Sequence, residues 1–201
     1  MRNVIFIVML LFLISVFACA SCARLRISEP PITARASDVT DDIYAVYSAI
    51  LNREYKDRFI FIADRTSPVY FGQTFGDNSI SGLSDETIND YDERNKTDEP
   101  LQNAFSKDLH YALLSNDEQK QTLTKTGREN YLKKYPEAVT EFPPSLGIIT
   151  FSKIGFNGDR TQALVSVNDS CPALCGSGQF YFLRKQDGNW SIEGVKELWV
   201  S

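Results

Sequence analysis

The spacing of hydrophobic residues divides the chain into a first part with helical periods and a second part with alternating periods. Apolar residues recur every three or four positions in residues 41–55, which predicts an amphipathic helix that buries one stripe. The apolar run 58–63 is bounded by polar residues and predicts a buried strand. Residues 66–98 are rich in Gly, Ser, Asn and Asp, and we expect a long surface segment there with one short helix capped by Ser84.

Two further segments before a group of prolines are predicted to be helices. In residues 100–114 the apolar residues that share one helical face are Leu101, Phe105, Leu109, Ala112 and Leu113. The next helix is expected to begin at Asn116, with Gln119 completing a capping-box-like pair, and to end near Tyr135. Pro136 stops it, because proline lacks the N–H that a helix interior requires.

After the prolines the period changes to the alternation typical of strands. The expected strands are 146–151, 161–167, 179–184 and 189–192, with 197–200 extending the sheet edge. Asp187-Gly188 is a strong two-residue hairpin signal. Helices followed by strands predict an α+β fold, with N-terminal helices packed on one face of a C-terminal antiparallel sheet of about four strands. A cystatin-like or nuclear-transport-factor-like cone is one candidate topology.

The N-terminus has the three parts of an export signal. Arg2 supplies the positive start, residues 4–14 are an unbroken apolar run, and small residues follow at 18–20. The run is shorter than the roughly 20 apolar residues of a permanent membrane span. We therefore expect residues 1–20 to be a signal peptide, with an uncleaved anchor as the alternative, and the mature chain to work outside the cytoplasm.

Two cysteines near the cleavage site are candidates for lipid attachment. Residues 16–19, Val-Phe-Ala-Cys, resemble a bacterial lipobox in which Cys19 becomes the diacylated first residue. Cleavage before Cys22 uses a poorer lipobox, yet it leaves an even number of cysteines for pairing. Ordinary cleavage after Ala20 is the remaining alternative. We expect a lipoprotein acylated at Cys19 or Cys22, in which residues 21–40 tether a single domain, residues 41–201.

The charge of the chain limits its partners. It has 21 basic and 26 acidic residues, and loss of Arg2 with the leader gives the mature chain a net charge of −6. An acidic chain without a basic cluster argues against nucleic acid, whose phosphates require Lys and Arg. The expected partners are the membrane, through the N-terminal lipid, and a protein or small-molecule ligand. No cofactor is expected.

The remaining cysteines, Cys171 and Cys175, enclose a short loop. In an oxidising compartment we expect them to form a structural disulfide between two strands. A redox pair is the alternative, although the motif lacks the two-residue spacing and following helix of thioredoxin-like sites. Two cysteines with a single histidine, His110, are too few for a closed zinc site without carboxylates, so we expect no metal.

No motif marks a catalytic residue. His110 falls inside a predicted helix without a recognisable nucleophile or orienting acid beside it. Four polar residues at strand ends would line a pocket if those ends converge, together with Arg65 and Arg160. These residues are Asp64, Thr66, Ser152 and Asn157.

Several segments resemble a family of uncharacterised bacterial exported proteins. The matching segments are Ser-Lys-Ile-Gly-Phe-Asn at 152–157, Thr-Gln-Ala-Leu-Val at 161–165, Cys171 with Leu-Cys-Gly-Ser-Gly at 174–178, and Asp-Gly-Asn-Trp-Ser-Ile at 187–192. Residues 42–47 and 62–66 fit the upstream half of the pattern. The resemblance implies export and a single domain, and it implies no activity.

These features favour an exported, lipid-anchored envelope protein, periplasmic or at the cell surface, with a binding rather than a catalytic function. A secreted form without lipid is the alternative location. The alternative function is an extracytoplasmic hydrolase that uses carboxylates around Asp64 and Asp159. A thiol–disulfide protein that acts through Cys171 and Cys175 is a third hypothesis.

Overall fold

The computed structural model describes residues 36–71, 80–122, 124–139, 147–170 and 176–201. The predicted leader, Cys19, Cys22 and the Cys171–Cys175 loop lie outside the described residues. Residues 36–201 group into one unit. Within the described ranges, no helix combines the length and the apolar character needed to cross a membrane.

Helices and strands alternate in the first part of the chain, and strands alone follow in the second. In chain order the elements are α1 (Ala36–Glu54), β1 (Phe59–Ala63), α2 (Asp85–Arg94), β2 (His110–Leu114), α3 (Asn116–Thr122), α4 (Lys125–Lys134), a 3₁₀ helix (Pro136–Val139), β3 (Ile148–Phe151), β4 (Gly155–Phe156), β5 (Gln162–Ser170), β6 (Ser177–Gln186) and β7 (Asn189–Val200).

All seven strands belong to one mixed sheet. The strand order is β2-β1-β3-β5-β6-β7, and the short β4 pairs with β5 beyond the end of β3. Strand β1 runs parallel to β2 and β3, whereas β3, β5, β6 and β7 form antiparallel neighbours. The class is α+β, but the prediction of an antiparallel sheet of about four strands was wrong, because β1 and β2 from the first part of the chain extend it in parallel. The cone topologies based on that smaller sheet are wrong with it.

Helices cover both faces of the sheet, not one. Successive strand residues point to opposite faces. Ile60 and Ile62 of β1 pack in the core cluster that contains the buried residues of α1, while Phe61 and Ala63 pack with Tyr131 of α4. On β5, Ala163, Val165 and Val167 join the α1 cluster, and Leu164 packs with Tyr91 of α2. Helix α1 therefore covers one face, and α2 and α4 cover the other.

The predicted helix at residues 100–114 is absent, and His110 is an exposed residue at the start of strand β2. Leu101, Phe105 and Leu109 are buried as the pattern predicted, but they reach the α1 cluster from irregular chain. The Ser48 hydroxyl of α1 accepts a hydrogen bond from the Ser106 N–H at 2.9 Å, which replaces a helical bond. Leu101, Phe105 and Leu109 are therefore spaced four residues apart and buried on one side, although they do not form a helix.

The local signals at turns and caps were more accurate. Asp187 and Gly188 adopt positive φ values of 49° and 81°, as a tight hairpin between β6 and β7 requires. Ser84 caps α2 as predicted. The helix predicted from Asn116 to near Tyr135 begins at Asn116 but is divided into α3 and α4, with Thr124 capping α4. The capping pair of α3 is Ser115 with Glu118, not Gln119. The Ser115 N–H and hydroxyl lower the pKa of Glu118 to about 2.

Both ends of α2 are fastened to the strands beneath it. At the N-terminus, the Gln162 carboxamide oxygen accepts hydrogen bonds from the Ser84 N–H at 3.0 Å and the Thr87 hydroxyl at 3.2 Å. At the C-terminus, the carboxamide of the fully buried Asn95 accepts from the Lys153 N–H at 2.8 Å and donates to the Lys153 carbonyl at 2.9 Å. The helix is therefore held by two amide side chains.

Two carboxylates in the middle of α2 also bind backbone. Asp90 accepts the Phe156 N–H at 2.8 Å, and Asp92 accepts the Phe71 N–H at 2.9 Å. Buried N–H groups need such partners wherever the chain leaves regular pairing. Helix α2 thus fixes the chain that connects β3 to β4.

The close approach of α2 to β4 leads us to expect that Gly155→Ala destabilises the fold. A Cβ at residue 155 would lie 2.4 Å from the backbone N of Tyr91 and 2.5 Å from its Cα. Helix α2 would have to move, at a cost of about 3 kcal/mol in the free energy of unfolding, which urea denaturation measures. The matched control is Gly194→Ala, whose Cβ would lie 3.6 Å from Ile80. Equal stability of the two variants would contradict the tight contact.

Candidate functional site

An open cleft separates α2 from the turn between β4 and β5. Its volume is about 820 Å³, within the size range of small-molecule sites. We call it the α2 cleft. The residues that line it are Glu86, Asn89, Asp90, Glu93 and Arg94 from the helix, and Phe156, Asn157, Gly158 and Arg160 from the opposite wall.

The helix wall presents its polar side chains at helical spacing. Glu86, Asp90 and Glu93 recur every three or four residues, so they share one face of α2. Asp90 is held rigidly, since it accepts hydrogen bonds from the Phe156 N–H at 2.8 Å and the Arg94 Nε at 2.9 Å. This wall is therefore positioned by the same contacts that dock the helix.

The opposite wall is a turn organised by Asn157. Its carboxamide oxygen accepts the Thr161 N–H at 2.9 Å and the Gln162 N–H at 2.7 Å, and its NH₂ donates to the Thr161 hydroxyl at 3.1 Å. Arg160 adopts a positive φ of 55°, which turns the chain back into β5. The Asn157 side chain therefore uses its oxygen and its NH₂ group to hold the turn that forms this wall of the cleft.

A charged cluster behind the cleft anchors Arg160. Asp42 of α1 accepts hydrogen bonds from the Lys185 Nζ at 2.6 Å and the Trp190 Nε1 at 3.1 Å, and its second oxygen lies 3.3 Å from the Arg160 Nε. The guanidinium of Arg160 also lies 4.1 Å from the ring centre of Phe156. Burial raises the pKa of Asp42, but the bonds from Lys185 and Trp190 and the charges of Lys185 and Arg160 outweigh it, so the pKa is lowered.

Three of the four predicted pocket residues follow the neighbouring strands β1 and β3, beyond which the Ser67 N–H bonds the Phe151 carbonyl at 2.8 Å. Asp64 and Thr66 follow β1, and Ser152 follows the neighbouring parallel strand β3. The Asn157 N–H bonds the carbonyl of Gln162 on β5, whereas the Ser152 N–H bonds the carbonyl of Ser166, four residues further along the same strand. Four residues of strand span about 13 Å, so Asn157 belongs to the α2 cleft and not to this group.

The grouped residues serve the fold through most of their polar atoms. The Ser152 hydroxyl accepts the Ser166 N–H at 2.8 Å, and the Thr66 hydroxyl accepts the Glu99 N–H at 2.9 Å. Only Asp64 retains an unused atom, since its Oδ1 is buried without a hydrogen-bond partner among the described residues. Arg65 pairs with Asp98 at 2.8 Å on the surface.

The carboxylates of the hydrolase hypothesis occupy different places in the fold. Asp64 follows β1, where its N–H bonds the Leu114 carbonyl at 2.9 Å. Asp159 lies in the β4–β5 turn, where its carboxylate accepts the Thr161 hydroxyl at 2.7 Å. That hydroxyl is the main reason why the pKa of Asp159 is lowered, which is opposite to the requirement for a general acid.

Two smaller cavities differ from the cleft in character. One of about 40 Å³ lies beside Tyr55 and Asp169, whose side chains are joined by a 3.1 Å hydrogen bond, and has room for water alone. Burial raises the pKa of Asp169 there. Another of about 260 Å³ lies between α1 and the segment 104–106. The described part of the chain contains no group of three side chains suited to a metal ion.

The helix wall of the α2 cleft was not identified from the sequence. The available signal was the run Glu86, Asp90 and Glu93 behind the Ser84 cap, which marks one polar face of a short helix. Nothing in the sequence indicates that this face lies opposite residues 156–160, because the contact depends on the packing of α2 over β4.

Comparison of the chain with protein-family models, with curated proteins and with solved structures gives no match.

We expect Asp42→Asn to lower the free energy of unfolding by about 2 kcal/mol at pH 7, because hydrogen bonds to a charged group are lost. The Asp42 pKa is lowered in the folded state, so its contribution is complete above an unfolded value of about 4 and is lost as pH falls through the folded value. The difference between wild type and variant should therefore shrink at pH 3.

Urea denaturation at pH 7, 5 and 3 measures this difference. Asp41→Asn is the matched control, since Asp41 is the exposed neighbour of Asp42 in the same helix. A wild-type protein no more stable than the Asp42 variant at pH 7, or a difference that grows toward pH 3, is incompatible with the cluster described above.

Proposed function

We propose that this chain is an exported, lipid-anchored protein of the bacterial envelope whose folded part binds a ligand in the α2 cleft without catalysing a reaction. The main support for a binding function is that hydrogen bonds fix the positions of both walls of the cleft. An organic ligand requires a concave surface of fixed shape, and both walls here are held by side chain-to-backbone hydrogen bonds, through Asp90 and Asn157.

The hydrogen bonds of Asp90 and the lowered pKa of Asp159 favour binding over acid–base chemistry. A general acid or base must exchange a proton with the substrate, and its pKa must lie near the working pH. Asp90 is occupied by the Phe156 N–H and by Arg94, and the neighbouring Asp159 has a lowered pKa. No contact of the described residues favours the hydrolase hypothesis, and the thiol–disulfide hypothesis concerns cysteines outside those residues.

The export half of the proposal is supported by the N-terminal sequence. A positive residue, an apolar run too short for a permanent span, and cysteines among small residues form the pattern of a lipoprotein leader. Acylation at Cys19 or Cys22 would place the folded part beside a membrane in an oxidising compartment. There Cys171 and Cys175 would join as a disulfide.

Intact mass spectrometry of the protein from the membrane fraction tests this half in one measurement. The expected mass is that of a chain cleaved before Cys19 or Cys22, increased by attached lipid and reduced by two hydrogens for the Cys171–Cys175 bond. Cys19→Ser and Cys22→Ser are matched variants, and the one that abolishes the lipid mass identifies the acylated residue. A full-length chain in the cytosol, with its leader and all thiols intact, would remove the proposal.

A further inference from the structure

Trp199, near the end of β7, lies across two glycines at the start of β6. A Cβ on Gly178 would lie 2.2 Å from the Trp199 Nε1, and a Cβ on Gly176 would lie 2.9 Å from the Cη2 at the other end of the indole. The ring therefore occupies the space that two side chains would fill. It is nevertheless one of the few large apolar side chains on the surface, with 41% of its area exposed.

A hydrogen bond holds the indole in this orientation. The Trp199 Nε1 donates to the Asn168 Oδ1 at 3.2 Å, and so reaches across β6 from β7 to β5. A ring with contacts at both ends and one hydrogen bond loses little further freedom when a ligand packs on it. The Gly-Ser-Gly sequence at 176–178 thus provides the seat for a fixed, exposed aromatic ring.

Two polar groups continue the row beyond the indole. Thr150 of β3, Asn168 of β5, Gly178 of β6 and Trp199 of β7 are consecutive cross-strand partners, so their side chains lie on one face of the sheet. Thr150 and Asn168 are partly exposed. Within the described ranges, the Thr150 hydroxyl and the Asn168 NH₂ group have no hydrogen-bond partner. The row therefore combines an aromatic surface with two unused polar groups.

We propose that this row of Trp199, Asn168 and Thr150, which we call the Trp199 platform, binds the pyranose rings of a glycan chain. One side of such a ring presents C–H groups that pack on an aromatic face, and its edge carries hydroxyls that need donors and acceptors. The three side chains are uncharged, which suits a neutral sugar. Lys196, the charged residue of β7 on the same face, has an interaction of its own. The inference is independent of the α2 cleft.

A lipid surface is the other partner that suits an exposed tryptophan, and the position of the platform argues against it. The chain enters the domain at the start of α1, where Asp42 bonds Trp190 at the start of β7. At the other end of α1, Tyr55 bonds Asp169, in the part of β5 that carries the platform. The platform thus lies at the end of the sheet away from the point where a tether to the proposed lipid would attach.

The two tryptophans of the chain allow the platform to be observed beside an internal reference, since Trp190 is buried and Trp199 is exposed. The full ¹⁵N-labelled chain in phosphocholine micelles is titrated with cellotetraose, chitotetraose, sorbitol and tetraproline. Sorbitol carries hydroxyls without a ring, and tetraproline carries apolar rings without hydroxyls. We expect a tetrasaccharide to shift the Trp199 indole N–H signal saturably, while the Trp190 signal and both other probes show no change.

Trp199→Ala should raise the dissociation constant for the tetrasaccharide about tenfold, the effect of losing one aromatic contact, as followed at the Gly178 amide. Thr150→Val keeps the shape of the side chain and removes only the hydroxyl, so it should raise the constant about fivefold. Val200→Ala, at the exposed neighbour of Trp199, is the matched control and should leave it unchanged. Unchanged spectral dispersion verifies that each variant is folded.

Several results would overturn the glycan class. They are the absence of a Trp199 shift with either tetrasaccharide, an equal shift with sorbitol, and equal affinity of wild type and the Thr150 variant. A stronger shift with tetraproline would indicate a peptide partner instead, and broadening of the Trp199 signal by a spin-labelled lipid in the micelles would indicate membrane contact. These results concern the platform alone, so their failure is distinct from failure of binding in the α2 cleft.

Discussion

The structure depends on the satisfaction of backbone hydrogen bonds where the chain passes from β3 to β4. Residues 152–154 lie between β3 and β4, and the N–H groups of Lys153 and Phe156 bond side chains instead of a strand. Buried N–H and C=O groups left unpaired there would each cost about 1–3 kcal/mol. Helix α2 supplies the partners, since Asn95 binds both backbone groups of Lys153 and Asp90 binds the Phe156 N–H. Gly155 lets the helix come close enough to do so.

The α2 cleft is a consequence of this docking. A helix fastened at both ends presents its acidic face opposite the β4–β5 turn, and Asn157 gives that turn a single shape. The Asp42 cluster then fixes Arg160 from behind, and it ties α1 to β6 and β7 through Lys185 and Trp190. Residues that bear the resemblance to exported proteins, such as Ser152 and Gln162, thus have roles in packing.

Sequence reasoning was accurate where a signal is local and failed where pairing is long-range. Ser84 and the Asp187-Gly188 turn act through their own backbone, so their effects could be predicted. The parallel pairing of β1 with β2 and β3 joins segments far apart in the chain, and periodicity contains no information on it. The apolar residues of 100–114 have helical spacing, but the structure has irregular chain followed by strand β2 there. Asn157 was predicted to line a pocket with Asp64, but it lies in the β4–β5 turn.

Hydrogen exchange of the Lys153 and Phe156 amides tests the central role of α2 most directly. If Asn95 and Asp90 hold these N–H groups, both amides should exchange only through global unfolding, with protection equal to that of the central strand β5. Exchange at the rate of exposed turns, such as that at Gly188, would show that helix α2 does not secure the chain between β3 and β4.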